Sequence, residues 1–279
     1  MVRRLAVILA LILCGVVSLA SSLSQPASTQ SQQNENVSAS KPKASSARIL
    51  VIDGMRVILV DRESKSIVWE TAALRGPGSL ASVPNGDYLV AERKYIARIY
   101  KDGKLVSRSP ITFGFLTDIK LLENGRMLIC DQDKKTVAEM DWDGKITWSV
   151  TGLHSPSEAV RLANGNTLIA DGSTVLKEFD ASQKLVRSTR LRRSAFAVQP
   201  LAEGILVGER KAVEFLETSG KVVWSYELPS RITSAQRISD DEYLVSEPDD
   251  GRIVIINSGG YVKWELTDLN LPWQAIYLG

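Results

Sequence analysis

Histidine is nearly missing from this chain: its 279 residues contain one, His154. A single imidazole excludes metal centres built on histidine clusters, and no Ser/His/Asp arrangement can be assigned around it with any specificity. Cysteine is almost as scarce, with Cys14 and Cys130 alone. Cys14 falls in an apolar N-terminal run, which leaves Cys130 as the one cysteine of the folded part, without a disulfide partner or a thiolate cluster. Cys130 ends the apolar run Met127–Cys130, so it reads as a small buried hydrophobe. No Walker-type or dinucleotide-binding glycine pattern occurs. An excess of charge is missing as well. With Arg3 and Arg4 set aside in the same N-terminal run, 32 basic residues balance 32 acidic ones, so no global field argues for nucleic acid as a partner. What is present, 44% hydrophobic and 24% charged residues, is enough for a large core.

The N-terminus carries a targeting signal. Val2-Arg3-Arg4 is a short basic segment, Leu5–Val17 is continuously apolar, and Ser18-Leu19-Ala20 offers small residues for cleavage after Ala20. Residues 1–20 are therefore expected to be a signal peptide. A lipid-modified Cys14 and an uncleaved anchor are the alternatives, although Leu13 and the short apolar run suit them less well. All three place the folded part outside the cytoplasm, as a secreted, periplasmic or membrane-anchored protein, and two of them tether it to a membrane. Residues 21–46 are rich in Ser, Gln, Ala and Asn and almost empty of large apolar side chains, the composition of a disordered linker.

From Ala47 onward the chain is written in copies of one unit, clearest at Ser157–Leu191. Four short apolar-rich runs, Ala159–Leu162, Thr167–Ala170, Val175–Phe179 and Leu185–Leu191, alternate with turn signals, which is how four antiparallel strands look in sequence. Asn164-Gly165 is expected to be a two-residue hairpin turn. Equivalent Asn-Gly pairs at Asn85 and Asn124 give spacings of 39 and 40 residues, and Gly204 lies 39 beyond Gly165. A four-stranded unit near 40 residues predicts the blade of an all-β propeller. The copies begin near residues 47, 79, 117, 157, 196 and 233, which makes six blades over 47–279. The first copy holds only three strands, and Trp273–Leu278 aligns with the missing first one. A C-terminal strand that completes the N-terminal blade would close the ring and remove an open sheet edge. Trp69, Trp148, Trp224 and Trp264 recur in the fourth strand. They read as packing between blades, or else as a row of carbohydrate-stacking platforms.

The runs AVRLANGNTLI (159–169) and GKVVWS (220–225) resemble quinoprotein-like (PQQ-binding-like) and arylsulfotransferase-like β-propeller repeats, a resemblance that covers Ala47–Gly279. It implies a fold more than an activity. Quinone-dependent members have a larger ring, a calcium ion and, in many cases, adjacent cysteines. A six-bladed chain without a cysteine pair is expected to carry neither that cofactor nor a metal. Arylsulfotransferases use a histidine nucleophile assisted by further histidines and arginine, which leaves a degenerate enzyme centred on His154 as an alternative.

In a propeller the loops from strand four to the next strand one share a face with those from strand two to three, and that face is the default ligand site. The first set supplies Arg75, Phe113, Phe115, His154, Arg192, Arg193, Phe196, Arg231 and Trp273. Guanidinium groups beside aromatic rings would suit an anionic ligand; the plain alternative is solvated loop arginines and aromatics that plug the channel. Every strand two also ends in an acid: Asp53, Glu92, Asp131, Asp171, Glu209 and Glu247. These could ring a cation, or each could accept hydrogen bonds within its own turn. The expectation is a monomeric, non-catalytic binding or scaffolding module whose partner is a small anionic ligand or an envelope protein. An envelope-assembly role is the second alternative.

Overall fold

The structure, a computed structural model, describes residues 47–72, 74–172 and 174–279. The expected leader and linker lie outside the described residues. Blade one contributes β1 (Arg48–Asp53), β2 (Arg56–Asp61) and β3 (Ile67–Thr71). Blade two is β4 (Ser79–Ser82), β5 (Tyr88–Ala91), β6 (Ile96–Ile99) and β7 (Leu105–Arg108). Blade three is β8 (Leu116–Leu121), β9 (Met127–Asp131), β10 (Thr136–Met140) and β11 (Ile146–Val150). Blade four is β12 (Glu158–Arg161), β13 (Thr167–Ala170), β14 (Val175–Phe179) and β15 (Leu185–Arg190). Blade five is β16 (Ala195–Leu201), β17 (Gly204–Glu209), β18 (Ala212–Glu217) and β19 (Val222–Glu227). Blade six is β20 (Ser234–Ser239), β21 (Glu242–Glu247), β22 (Arg252–Ile256) and β23 (Val262–Leu266), and β24 (Pro272–Tyr277) follows. The order β24-β1-β2-β3 makes the chain's last strand the innermost strand of its first blade, and all six sheets are four-stranded.

The Asn-Gly turns differ from the expected two-residue form. Leu162 N–H donates to the Asn166 carbonyl at 2.8 Å and Gly165 N–H to the Leu162 carbonyl at 2.9 Å. The loop is therefore three residues long, a tight turn ending in a left-handed glycine at φ 85°. The asparagine works through its side chain instead: Asn164 Oδ1 accepts the Asn166 N–H at 3.0 Å, and Asn85 and Asn124 repeat this with Asp87 and Arg126.

Alternation sends successive strand-two side chains to opposite neighbours. In β9, Met127 and Ile129 pack against blade two while Leu128 and Cys130 pack against blade four. The core is accordingly six apolar wedges, one at each joint. Cys130 is fully buried in the wedge between blades three and four, and burial pushes its thiol pKa up, an inert environment.

At the axis, each innermost strand has backbone N–H groups that its own blade leaves unpaired. A side chain of the preceding blade accepts them at every joint. Gln274 takes Leu80 N–H (2.6 Å), Ser79 takes Ile119 (3.3 Å), Asp118 takes Ala159 (3.1 Å) and Glu158 takes Val198 (2.7 Å). Gln199 takes Arg237 (2.7 Å), and Ser234 and Gln236 take Ala275 (3.2 Å) and Tyr277 (2.8 Å). The last two bonds land on β24, so the closing strand is locked to blade six as well as paired with β1.

The tryptophans bridge joints at the outer rim. Indole N–H groups of Trp148, Trp224 and Trp264 donate to Asp180, Ser258 and Arg62 carbonyls of the next blade at 3.2, 3.0 and 2.8 Å. Trp224 stacks on Tyr243 at 4.7 Å, and Trp69 meets Tyr88 at 5.7 Å. Trp69 also lies against Gly103, where φ is +89° and a Cβ would come 2.7 Å from the ring. These contacts are interblade packing.

Truncation after residue 270 removes β24 from both of its neighbours. The large apolar side chains lost, Trp273, Ile276 and Leu278, are half-buried, so each costs less than the ~1.5–3 kcal/mol of full burial, and about 1 kcal/mol moves Tm by about 2–4 °C in a domain of this size. The expected result is a drop in calorimetric Tm of more than about 10 °C with a single broadened transition. An unchanged Tm would show that the ring does not depend on its closing strand.

Candidate functional site

The strand-two carboxylates decide which polar groups remain free on the loop face. All six are buried, and five of them pin the loop that enters their blade. Asp53 accepts Leu271 N–H (2.8 Å), Glu92 accepts Arg75 (2.8 Å), and Asp131 accepts Gly114 (2.9 Å) and Phe115 (3.1 Å). Asp171 accepts His154 (2.8 Å) and Ser155 (2.9 Å), and Glu209 accepts Arg193 (3.2 Å). Glu247 binds Arg252 Nε at 2.6 Å. The acids are thus structural acceptors, as their plain reading holds, but their backbone partners lie mainly in the incoming loop rather than in their own turn. Among the described residues no group of three or more acidic, histidine or cysteine side chains is placed to hold a metal ion.

Those pinned loops frame a concave mouth of about 440 Å³ at one end of the channel, to which all six blades contribute. Its apolar lining includes Met55, Phe115, Phe196, Leu271 and Trp273. Met55, Leu271 and Phe196 are 57%, 42% and 38% exposed, a cluster of large side chains that water rather than protein covers.

Of the site residues expected from sequence, Phe115, Phe196 and Trp273 come together in this mouth. Arg231 stands at its rim, 5.7 Å from the Trp273 ring, and is paired with Asp249 at 2.7 Å. Arg75 lies over Tyr95 at 5.8 Å, and Arg192 points away, 69% exposed and 3.7 Å from Glu214. Arg193 pairs with Glu227 at 2.7 Å. Phe113 is buried in the wedge between blades two and three. His154 has its backbone held by Asp171, and its side chain is exposed and absent from the mouth lining.

Arg93 was not foreseen from sequence. It lines the mouth with its guanidinium 5.3 Å from the Phe115 ring centre. Nor was the channel wall behind it foreseen, where Lys120 Nζ sits 2.7 Å from both Asp118 and Glu158. Burial opposes the Lys120 charge, yet the two carboxylates hold its pKa above the usual lysine range. Burial pushes Glu158 up to about 7 against the pull of Lys120, with Asp118 adding to the rise. The available signal was charge on a first strand: the innermost strand lines the channel, so Asp118 and Lys120 at alternate positions of β8 had to face it.

A family model described as outer membrane protein assembly factor BamB matches residues 27–193. Among solved structures, a protein of unknown function from Bacteroides caccae is 19% identical, with a TM-score of 0.72 over 84% of this chain and 99% of that one. An inactive virginiamycin B lyase from Staphylococcus aureus, solved with quinupristin, is 12% identical, with a TM-score of 0.58 over 84% and 87%. A BBS1N–ARL6DN complex gives 13% and 0.55 over 79% and 76%. At such identities the likeness is one of fold. No curated protein matches the sequence.

The buried carboxyls give the ring a pH dependence of definite sign. Glu158, raised by burial to about 7 from 4.5, binds its proton more tightly in the folded state than in the unfolded one. Its contribution is therefore greatest at low pH and is lost as pH rises from about 4.5 to about 7. Glu209 and Glu247, also raised by burial, act in the same direction. Tm should fall by a few degrees between about pH 5 and about pH 8. Glu158→Gln keeps an acceptor for Val198 N–H and should flatten part of that slope; a parallel profile in the variant would remove Glu158 as its source.

Proposed function

Because the chain belongs to the outer membrane protein assembly factor BamB family of PQQ-like propeller repeats, we propose that it acts as an exported, non-catalytic docking module that holds an envelope protein against its channel mouth. The observation that carries this is the mouth itself. Side chains from every blade converge on a concave surface whose large apolar groups, Met55, Phe196 and Leu271, are exposed. The neighbouring carboxylates are meanwhile occupied by the backbone of their own loops. A surface whose large apolar groups are free and whose neighbouring loop carboxylates are engaged favours burial against another apolar surface over chemistry on a small substrate. The sulfuryl-transfer reading centred on His154 draws no support from this mouth, since His154 does not line it. A small anionic ligand is the second reading, favoured by Arg93 and Arg231 standing over Phe115 and Trp273; an aromatic anion could stack there and pair with a guanidinium.

A photo-crosslinking residue at Phe196, compared with one at the exposed Tyr261, tests the docking reading in intact cells. Crosslinks to one defined envelope protein are expected from Phe196 alone. They should be lost in Met55→Asp/Leu271→Asp, whose exposed positions leave Tm unchanged. Equal crosslinking from Tyr261, or no effect of the double substitution, would overturn it. Binding of phenyl phosphate by calorimetry, weakened in Arg93→Ala, would favour the ligand reading instead.

A further inference from the structure

One joint lacks the outer-rim filling found elsewhere. Trp69, Trp148, Trp224 and Trp264 stand opposite Leu59, Glu139, Phe215 and Ile255 of their third strands. The corresponding residue of blade two is Ser107, opposite Arg98, and there Trp142 of blade three packs into the wedge from the other side. In blade four the position is Arg187, opposite Glu178. Its guanidinium pairs with Glu178 at 2.9 Å and donates to the Thr218 carbonyl of blade five, the kind of acceptor that the indole N–H takes at other joints. The hydrogen bond is kept and the ring is missing.

The result is an open groove of about 810 Å³ between blades four and five. Leu162, Pro200, Leu201 and Ile205 give it an apolar lining, and Val186 borders it, 48% exposed. Ile205 sits at the register position of Tyr88 and Tyr243, the two residues that meet Trp69 and Trp224 elsewhere. The groove is formed by the turns between strands one and two and between strands three and four, so it opens on the face opposite the channel mouth.

We propose that this groove is a binding site for an aromatic side chain carried by an extended, acidic segment of a partner polypeptide. The aromatic ring follows from the fold: indoles at equivalent joints show what shape the space between two blades accepts. The polypeptide follows from size and edge. The volume exceeds a single ring, and β15 alongside is the outermost strand of its blade, with Leu185 and Val186 exposed and one backbone edge unpaired in its sheet. The acidic character follows from charge along the β15 edge: residues 184–193 hold no acid, and Lys184 at the groove end and Arg190 at the far end are exposed, whereas Arg187, Arg192 and Arg193 already have carboxylates of this chain beside them.

The probe is a capped heptapeptide, Asp-Glu-Ser-Trp-Ser-Glu-Asp, titrated into the isotopically labelled protein with methyl chemical shifts as readout. Shifts at Leu162, Leu201 and Ile205 are expected. Affinity should drop at least about tenfold when the peptide Trp is replaced by Ala, and about as much when its acids become Ser. Arg187→Trp fills the groove from within, so it should abolish those shifts while raising Tm. The Met55→Asp/Leu271→Asp variant should bind the peptide as the parent does, which keeps this site separable from the mouth. Absent shifts in the parent, full binding by Arg187→Trp, or binding no tighter than that of N-acetyltryptophanamide would each overturn the proposal.

Discussion

The structure depends on a belt of side-chain-to-backbone hydrogen bonds around its axis. Six sheets stacked radially would otherwise bring six innermost strands to the channel with unpaired N–H groups, and each unsatisfied buried donor costs about 1–3 kcal/mol. Here a side chain from one blade accepts the N–H of the next at every joint, from Gln274 to Leu80 round to Gln236 and Tyr277. The acceptor is glutamine, serine, aspartate or glutamate in different blades. What the geometry demands is an oxygen at a fixed height, and several side chains can provide one. The belt explains why the channel wall is polar and why charge collects there. Once Asp118 and Glu158 are recruited as acceptors, their remaining charge needs a cation, and Lys120 between them supplies it.

A second tier of carboxylates does for the loops what the belt does for the strands. In five blades the acid at the end of strand two reaches back to the backbone that leads into its blade, fixing the connection between blades at a point with no regular pairing. With these groups consumed by architecture, the mouth is left with what the loops present last: Phe115, Phe196, Leu271 and Trp273, bordered by arginines. The character of the loop face is therefore what remains after structural demands are met elsewhere, which is why composition alone said little about it.

The architecture was legible because it is written in local, repeated chemistry: Asn-Gly turns at spacings of 39 and 40 residues, period-two runs and a fourth-strand tryptophan. Even the closing strand could be found, since it is a displaced copy of the same text. The site was legible only in part. Phe113 and Phe115 lie two residues apart in one loop, yet the first is in the core between blades and the second lines the mouth. Asp131 grips the backbone N–H groups of Gly114, between them, and of Phe115 itself, a tertiary contact. Arg231 looked free for a ligand because its partner, Asp249, is 18 residues away. The carboxylate staples did leave a trace, as Arg75 to Glu92 and His154 to Asp171 share one separation of 17 residues. Read as a periodic pair, that spacing identifies loop clamps.

The joints show how a repeat fold acquires individuality without losing closure. A blade joint takes apolar contact along its length and a donor for the outer-turn carbonyl; Trp148, Trp224 and Trp264 each supply both from one side chain, whereas at the first joint Trp69 gives the contact and the Thr71 hydroxyl donates to the Gly103 carbonyl. The two demands can be separated. Blade two keeps the contact by borrowing Trp142 from its neighbour, and blade four keeps the donor through Arg187 and gives up the ring. The second solution leaves the buried wedge of Leu168, Ala195, Val207 and Leu216 untouched. Its cost therefore falls on the rim alone, where partial exposure makes lost contact cheapest. The same logic limits where such a protein can vary its surface: the belt holds a backbone donor at every joint, and the one blade whose strand-two acid does not staple its loop fills that acid with the Arg252 guanidinium instead, whereas the rim can open between two blades while the ring stays shut.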